Sequence, residues 1–300
     1  MGTYNNLWDS LMLQAGSNVD VLSDLDTLRE ISNVMRINTA VCTSVGTFYL
    51  SQLGRIFLDM LGLYRALSSV INDAIVQGGV VVTRTPKLKA LRGIKKDILK
   101  LVKTFLQATK DLDAVNASLI PPLLEAVLGD YSNNLPEARE WEVLTLMSTV
   151  AASLQVSRIA DLEVSTKYRT QQHFTPNVSA SLDAVFEPTL LMINKDFIEF
   201  PEHRLAFYDL LRAINKHCFS GMLFFLQVSQ RLISLLAILA IPAPQFRVFM
   251  DSVIWAIKHT MRDVSTLGLN CMSVLLSDFL SLTIFPQCAR RSSRISLANL

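Results

Sequence analysis

Two consecutive segments, each carrying one apolar stripe at helical spacing, constrain this chain more than any other feature. From Pro86 to Gln107, Leu88, Leu91, Ile94, Ile98, Leu101 and Phe105 recur every three or four residues. Lys87, Lys89, Arg92, Lys95, Lys96, Lys100 and Lys103 fill the other faces. That period describes a helix with one buried side. Thr85 or Arg84 begins the turn, and Pro86 suits the first helical position, where its fixed φ helps and its missing amide costs nothing. Upstream, Leu50, Leu53, Phe57, Met60 or Leu61, Tyr64, Leu67 and Ile71 form a second stripe within Thr47 to Gln77. Gly78-Gly79 supplies the stop. Two striped helices joined by so short a turn form an antiparallel pair.

The pattern repeats down the chain. Helices are expected over Pro121 to Tyr131, from Leu135-Pro136 to about Leu154, and over Val178 to Asn194. Another spans Pro201 to Cys218, with the stripe Leu205, Tyr208, Leu211, Ile214 and Cys218. Pro244 to Thr260 and Val264 to about Asp278 close the series. No stretch alternates like a strand, and Val80-Val81-Val82 is too short to build a sheet. Composition agrees: 11 Gly and 10 Pro in 300 residues leave few turns, and half of the residues are hydrophobic.

Internal repetition sets the architecture. Glu125-Ala-Val127, Asp183-Ala-Val185 and Asp251-Ser-Val253 occupy equivalent places in successive first helices, 58 and 68 residues apart. HEAT repeats run ~40–47 residues. Each interval contains a run that does not fit: Val156 to Gln172, without a helical stripe, and the apolar Ser220 to Leu236. With such runs set aside, the first interval becomes HEAT-like and the second stays somewhat long; three matches at one point of a helix pair indicate an all-α fold, an α-solenoid of HEAT-type antiparallel helix pairs.

The chemistry-bearing residues do not assemble into a catalytic pattern. Cys42, Cys218, Cys271 and Cys288 lack zinc or redox spacing and are expected as buried thiols in a reducing compartment. The start MGTYNNLWDS is no secretory signal, and Asn6 stands where myristoylation needs Ser or Thr. His173, His203, His217 and His259 show no metal spacing. His203, in PEHR at a helix start, is expected to cap or to make a surface hydrogen bond. His217 and Cys218 are neighbours on one helix and point too far apart to act as a dyad. The acid pairs Glu140/Glu142 and Asp111/Asp113 are expected in loops or exposed turns, with no sign of burial. No catalytic, cofactor-binding or metal-binding residue is assigned. Charged residues make up 18% and the net charge is +2, so nothing global favours nucleic acid. The helix from Arg84 to Lys103 carries eight basic residues and the single acid Asp97. It reads as the solvated outer face of a solenoid helix, with an acidic partner surface as the alternative. Phe219 to Ile241 has one charge, Arg231, and the length of a membrane span, against a mean hydropathy of +0.34 for the whole chain.

Five strings carry a family resemblance: QLGRIFLDML (Gln52 to Leu61), PPLLEAVLGDY (Pro121 to Tyr131), LPEAREWEVL (Leu135 to Leu144), MINKDFIEFPEHR (Met192 to Arg204) and MDSVIWAIKHTMRDV (Met250 to Val264). They resemble the C-terminal HEAT-repeat region of the exportin-1 family, the karyopherins that carry leucine-rich signals out of the nucleus. The resemblance implies a non-enzymatic receptor that binds Ran in its GTP form together with export-signal cargo. Nucleoporins are further implied partners, with shuttling between nucleus and cytoplasm through the pore. Partner-contact residues are not assigned.

The layout expected from this resemblance is exportin repeats over 1–155, an irregular insertion over 156–177 and a repeat over 178–219. An apolar insertion over 220–237, a repeat over 238–276 and an atypical tail over 277–300 complete it. The family's upstream repeats, which hold the cargo groove, are not matched, so the chain is expected to be a truncated member that is incomplete for activity alone. A generic HEAT scaffold and a membrane protein anchored by 219–241 are the alternatives.

Overall fold

A computed structural model describes residues 2–17, 22–110, 115, 117–164, 184–193, 200–213, 243–273 and 275–276. Among these residues every regular element is helical and none is a strand. The helices are α1 (Gly2–Ser17), α2 (Leu25–Val45), α3 (Leu50–Gly78), α4 (Pro86–Ala108), α5 (Ile120–Asn133), α6 (Glu142–Val164), α7 (184–193), α8 (Pro201–Ala213), α9 (Ala243–Ile257) and α10 (262–273). The chain divides into two compact units, residues 1–153 with 170–203, and residues 154–169 with 204–300.

In the first unit the expected stripe of α4 is fully inside: Leu88, Leu91, Ile94, Ile98, Leu101 and Phe105 are all buried. So are Leu53, Phe57, Met60, Leu61, Tyr64, Leu67 and Ile71 of α3. Each such Leu or Ile contributes about 1.5–3 kcal/mol of burial free energy before chain entropy is counted. The ends follow the sequence signals. Thr85 has extended backbone, and its Oγ1 accepts the Leu88 amide at 3.4 Å, with Pro86 opening the helix. Gly79 ends α3 with φ of +70°, a conformation in which a Cβ would clash with the backbone. The valine run between them is a 3₁₀ turn, Val80–Arg84.

The stacking rule is visible in which helices touch. Besides the pair contact of α3 with α4, α1 packs on α3, α2 on α4, and α3 on α5. Each helix therefore meets its neighbour but one, which is how a helix-pair solenoid buries a continuous core. The first two helices were absent from the expected series. Asp24 caps α2 by accepting the Asp26 and Thr27 amides, and Leu28, Ile31, Val34, Met35 and Cys42 make its buried stripe.

The valines of the repeated acid-small-Val triplets, Val127, Val185 and Val253, fall in α5, α7 and α9 and are all buried. One turn beyond the first two, Tyr131 of α5 and Thr189 of α7 share a hydrogen bond of 2.8 Å between their hydroxyls. The stripe-free run behaves differently from its pattern: α6 continues through residue 156 to Val164. Residues 165–172 lie outside the described residues, as do 220–236 and 277–300.

In the second unit α8, α9 and α10 converge on Tyr208. Its hydroxyl donates to the Ser252 carbonyl at 2.9 Å, and the Cys271 thiol lies 3.7 Å from its own carbonyl. Trp255 is half-buried and stacked on Tyr208 of α8, ring centroids 6.4 Å apart and planes 9° from parallel. The residue facing α10 is Ala256, one position and about 100° further round the helix. Gly268 of α10 comes so close that a Cβ there would lie 2.8 Å from the Ala256 Cβ and 2.8 Å from the Ile257 amide nitrogen.

The two environments of helical glycine give opposite expectations. Gly268→Ala forces backbone apart and should cost about 1–3 kcal/mol. Gly93→Ala in α4, where a Cβ meets nothing within 4 Å, should stabilise by about 0.4–1 kcal/mol. Urea midpoints of the two variants moving in the same direction would contradict this packing.

Candidate functional site

The polar residues of α4 split into two sets. One set turns inward and forms a buried charge network in the first unit. Lys95 is 1% exposed, and its Nζ donates to Asp130 of α5 at 2.9 Å and to the Ser68 hydroxyl of α3. The same ammonium stands 4.6 Å from the centre of the Tyr64 ring. Asn134 donates to the second oxygen of Asp130 at 2.9 Å and is itself bonded to Asn72 of α3. One cation thus ties three helices. A lysine buried this deeply needs both a counter-charge and further hydrogen-bonding partners, and it has them. Burial, with the Asp130 carboxylate second, pushes the Tyr64 phenol well above its ordinary pKa.

One turn along α4 lies a second centre. Glu140, in the segment leading into α6, is 1% exposed. It accepts the Arg92 Nε at 2.5 Å and pairs with Lys96 at 3.4 Å. Lys96 also reaches Glu142 in the first turn of α6, at 3.1 Å. Burial pulls the Lys96 pKa down, but the two carboxylates outweigh it and hold the ammonium above its usual value. Glu142 is shifted up by burial, with Lys96 opposing. Both acids sit at the positive end of the α6 dipole.

Arg139 extends the network. Its guanidinium closes the end of α5 through the carbonyls of Tyr131 (2.9 Å) and Ser132 (3.4 Å), and reaches the Pro188 carbonyl of α7 at 3.0 Å. Its own carbonyl accepts from His203 Nε2 at 3.2 Å. His203 is buried, and burial lowers its pKa to about 4, opposed by that hydrogen bond and reinforced by Arg92, Lys96 and Arg139. What this cluster does chemically is clamp: acids face cations across helix boundaries, and the ring of His203 is held neutral.

Three expectations are corrected here. The basic helix is not simply a solvated face, because Arg92, Lys95 and Lys96 are consumed by internal pairs. Glu140 does lie in a connecting loop but is buried there, and Glu142 opens α6 half-buried, because the α4 cations draw both inward. His203 stands at a helix start but makes a buried bond to Arg139, not a surface one. His259, half-buried, accepts the Met261 amide on Nδ1 at 2.8 Å. Cys42 and Cys271 are buried free thiols, each pushed by burial to about 11. His173, the pair His217 and Cys218, Cys288, Asp111 and Asp113 lie outside the described residues. Residues 219–241 do too. Among the described residues no helix is long and apolar enough to cross a membrane, and no cluster of His, Cys, Asp and Glu is built to hold a metal. Sequence reasoning missed the network as a unit. Its one legible sign was Lys95, which sits inside the apolar stripe, four residues after Leu91 and three before Ile98.

Comparison with known proteins decides the family. The family described as CRM1 C terminal matches residues 52–285 of this chain. The chain belongs to the CRM1 C-terminal family. Exportin-1 of Schizosaccharomyces pombe is 40% identical over 282 residues, covering 94% of the chain. Protein EXPORTIN 1B of Arabidopsis thaliana is 38% identical over 279 residues, and exportin-1 of Drosophila melanogaster 38% over 275. The chain spans 23% of the length of each of these relatives. The match reaches residue 285, past the start of the segment expected as a tail. The strings PPLLEAVLGDY, LPEAREWEVL and PEHR, which carried the resemblance, are the ones that fold into the charge network.

Two outcomes follow from the network. Glu140→Gln leaves Arg92 and Lys96 without their shared carboxylate. It should destabilise by about 2–3 kcal/mol, below the ~3–5 of a fully buried pair because both cations keep part of their surface in water; chemical denaturation checks it. For His203, the folded pKa of about 4 lies below the ordinary 6.5. The unfolded chain therefore binds the proton first on acidification. The stability contributed by neutral His203 is complete above pH 6.5 and drains away as pH falls to about 4, on the order of 3 kcal/mol in all. A His203→Gln variant should show a flatter stability profile across that window, measured by urea titration at successive pH values.

Proposed function

We propose that this chain works as the C-terminal helical-repeat region of a nuclear export receptor. It acts by binding, not by catalysis. Its partners are Ran in the GTP form and cargo bearing leucine-rich export signals, with nucleoporins during passage through the pore, and it shuttles between nucleus and cytoplasm. The observation that carries this reading is the 40% identity to an exportin-1 along 94% of the chain. The fold supports it. Stacked helix pairs offer long surfaces to other proteins, and the first unit spends its buried charge on holding those pairs in register.

A binding site assembled from repeats far apart in a solenoid is lost when only part of the array is present, because each repeat touches only its neighbours. The chain alone is therefore expected not to form a cooperative complex with Ran and cargo. A chimera answers the question directly. Replacing the matched segment of Schizosaccharomyces pombe exportin-1 with this chain should retain capture of GTP-loaded Ran, strengthened by a leucine-rich signal peptide. The isolated chain in the same pull-down should show neither. A folded chimera that captures no Ran would remove the assignment, and tight cooperative capture by the isolated chain would show that it holds a complete export site.

A further inference from the structure

The second set of α4 polar residues, Lys89, Lys100 and Lys103, faces outward. They fall within about 60° of one line along the helix, opposite the buried stripe, and span about 21 Å. Lys89 and Lys100 are exposed and Lys103 half-exposed. Among the described residues none of these three makes an ion pair, whereas Arg92, Lys95 and Lys96 on the inner flank all do. Lys96, with 39% of its side chain exposed, borders both sets. Asp97, the one acid of this helix, turns aside to the Ser32 hydroxyl at 2.7 Å and to Arg36 at 3.6 Å. Like charges three and four residues apart on a helix repel. Lys96, Lys100 and Lys103 stand at those spacings, and nothing within the described fold offsets the repulsion of the outer two.

We propose that this outer stripe of α4 is a docking surface for an acidic, extended polypeptide segment. Charge complementarity selects the sign of the partner. The length of the stripe selects its form: Lys89 to Lys103 span about 21 Å, the reach of about six residues of extended chain. An acid-rich segment of that length brings carboxylates within reach of Lys89, Lys100 and Lys103. The stripe's width selects a peptide over a nucleic acid. Glu142 and Asp97, both partly exposed, flank it, so a broad polyanion would meet a carboxylate on either side. No aromatic residue stands among the lysines to stack a base. This surface is separate from the family assignment and stands or falls independently of the chimera.

The test is fluorescence anisotropy with the full chain and a labelled peptide of alternating glutamate and serine, about ten residues long. The wild-type chain is expected to bind it, with affinity falling at least about fivefold between roughly 50 and 200 mM salt. The triple reversal Lys89→Glu, Lys100→Glu, Lys103→Glu is expected to weaken binding at least about tenfold, with an unchanged circular dichroism spectrum. A control reversal of equal charge at exposed residues of the second unit, Arg247→Glu, Lys258→Glu and Arg262→Glu, should leave binding within about twofold. Absence of wild-type binding at low salt overturns the proposal, as does equal weakening by the control. Tighter binding of an oligothymidylate of similar length overturns it in favour of nucleic acid. If the triple reversal changes the fold, single reversals at Lys89 and Lys100 decide by the same criterion.

Discussion

The ammonium of Lys95 sits where only a low-dielectric interior would otherwise be, and the packing of the first unit is arranged around that fact. A charge there costs several kcal/mol unless it is paired and fully hydrogen-bonded. The pairing comes from Asp130 on α5, and further contacts from Ser68 and Tyr64 on α3. None of these groups belongs to α4, so the cation is stable only when three helices are in place at once. Apolar stripes slide past one another at modest cost, whereas this contact has a single satisfactory register.

The Glu140 centre repeats that logic one helix pair further on. Arg92 and Lys96 of α4 hold the entry into α6, and Arg139 beside it reaches back to α5 and forward to α7. His203 closes the set by accepting no charge at all. Its neutral ring fits a site already crowded with three cations, which is why burial and those cations act in the same direction on its pKa. A helix-pair solenoid needs such devices because each repeat contacts only its neighbours, so register must be enforced locally at every step. The second unit uses a different means. Its helices meet at the Tyr208 side chain, whose hydroxyl bonds across to α9, and at the bare backbone of Gly268.

Much of the fold was legible because it rests on short-range rules. The stripes of α3 and α4, the Gly79 stop, the Thr85 cap and the Pro86 start all depend on residues within a turn or two of each other. The buried valines of the repeated triplets were readable for the same reason. The helix over Leu25–Val45 was readable in principle from Leu28, Ile31, Val34 and Met35 but was passed over, its stripe being diluted by Ser, Thr and Asn on the remaining positions. A stripe says that a residue is on the inner side of a helix; only the packing says which neighbour it meets, as Trp255 meets Tyr208 of α8.

What the sequence by itself determined was the helical class, the pairing of successive helices, most of their ends and the exportin resemblance. Each is set by local periodicity, by caps, or by long contiguous strings. What only the tertiary structure decided was the fate of the charges. Lys95 and Lys100 are the same residue type, five positions apart on one helix, yet one is sealed between three helices and the other stands in water. Electrostatic stabilisation depends on the distance to partners such as Asp130 and Glu140, which lie 35 or more residues away in the chain and come near only when the helix pairs stack.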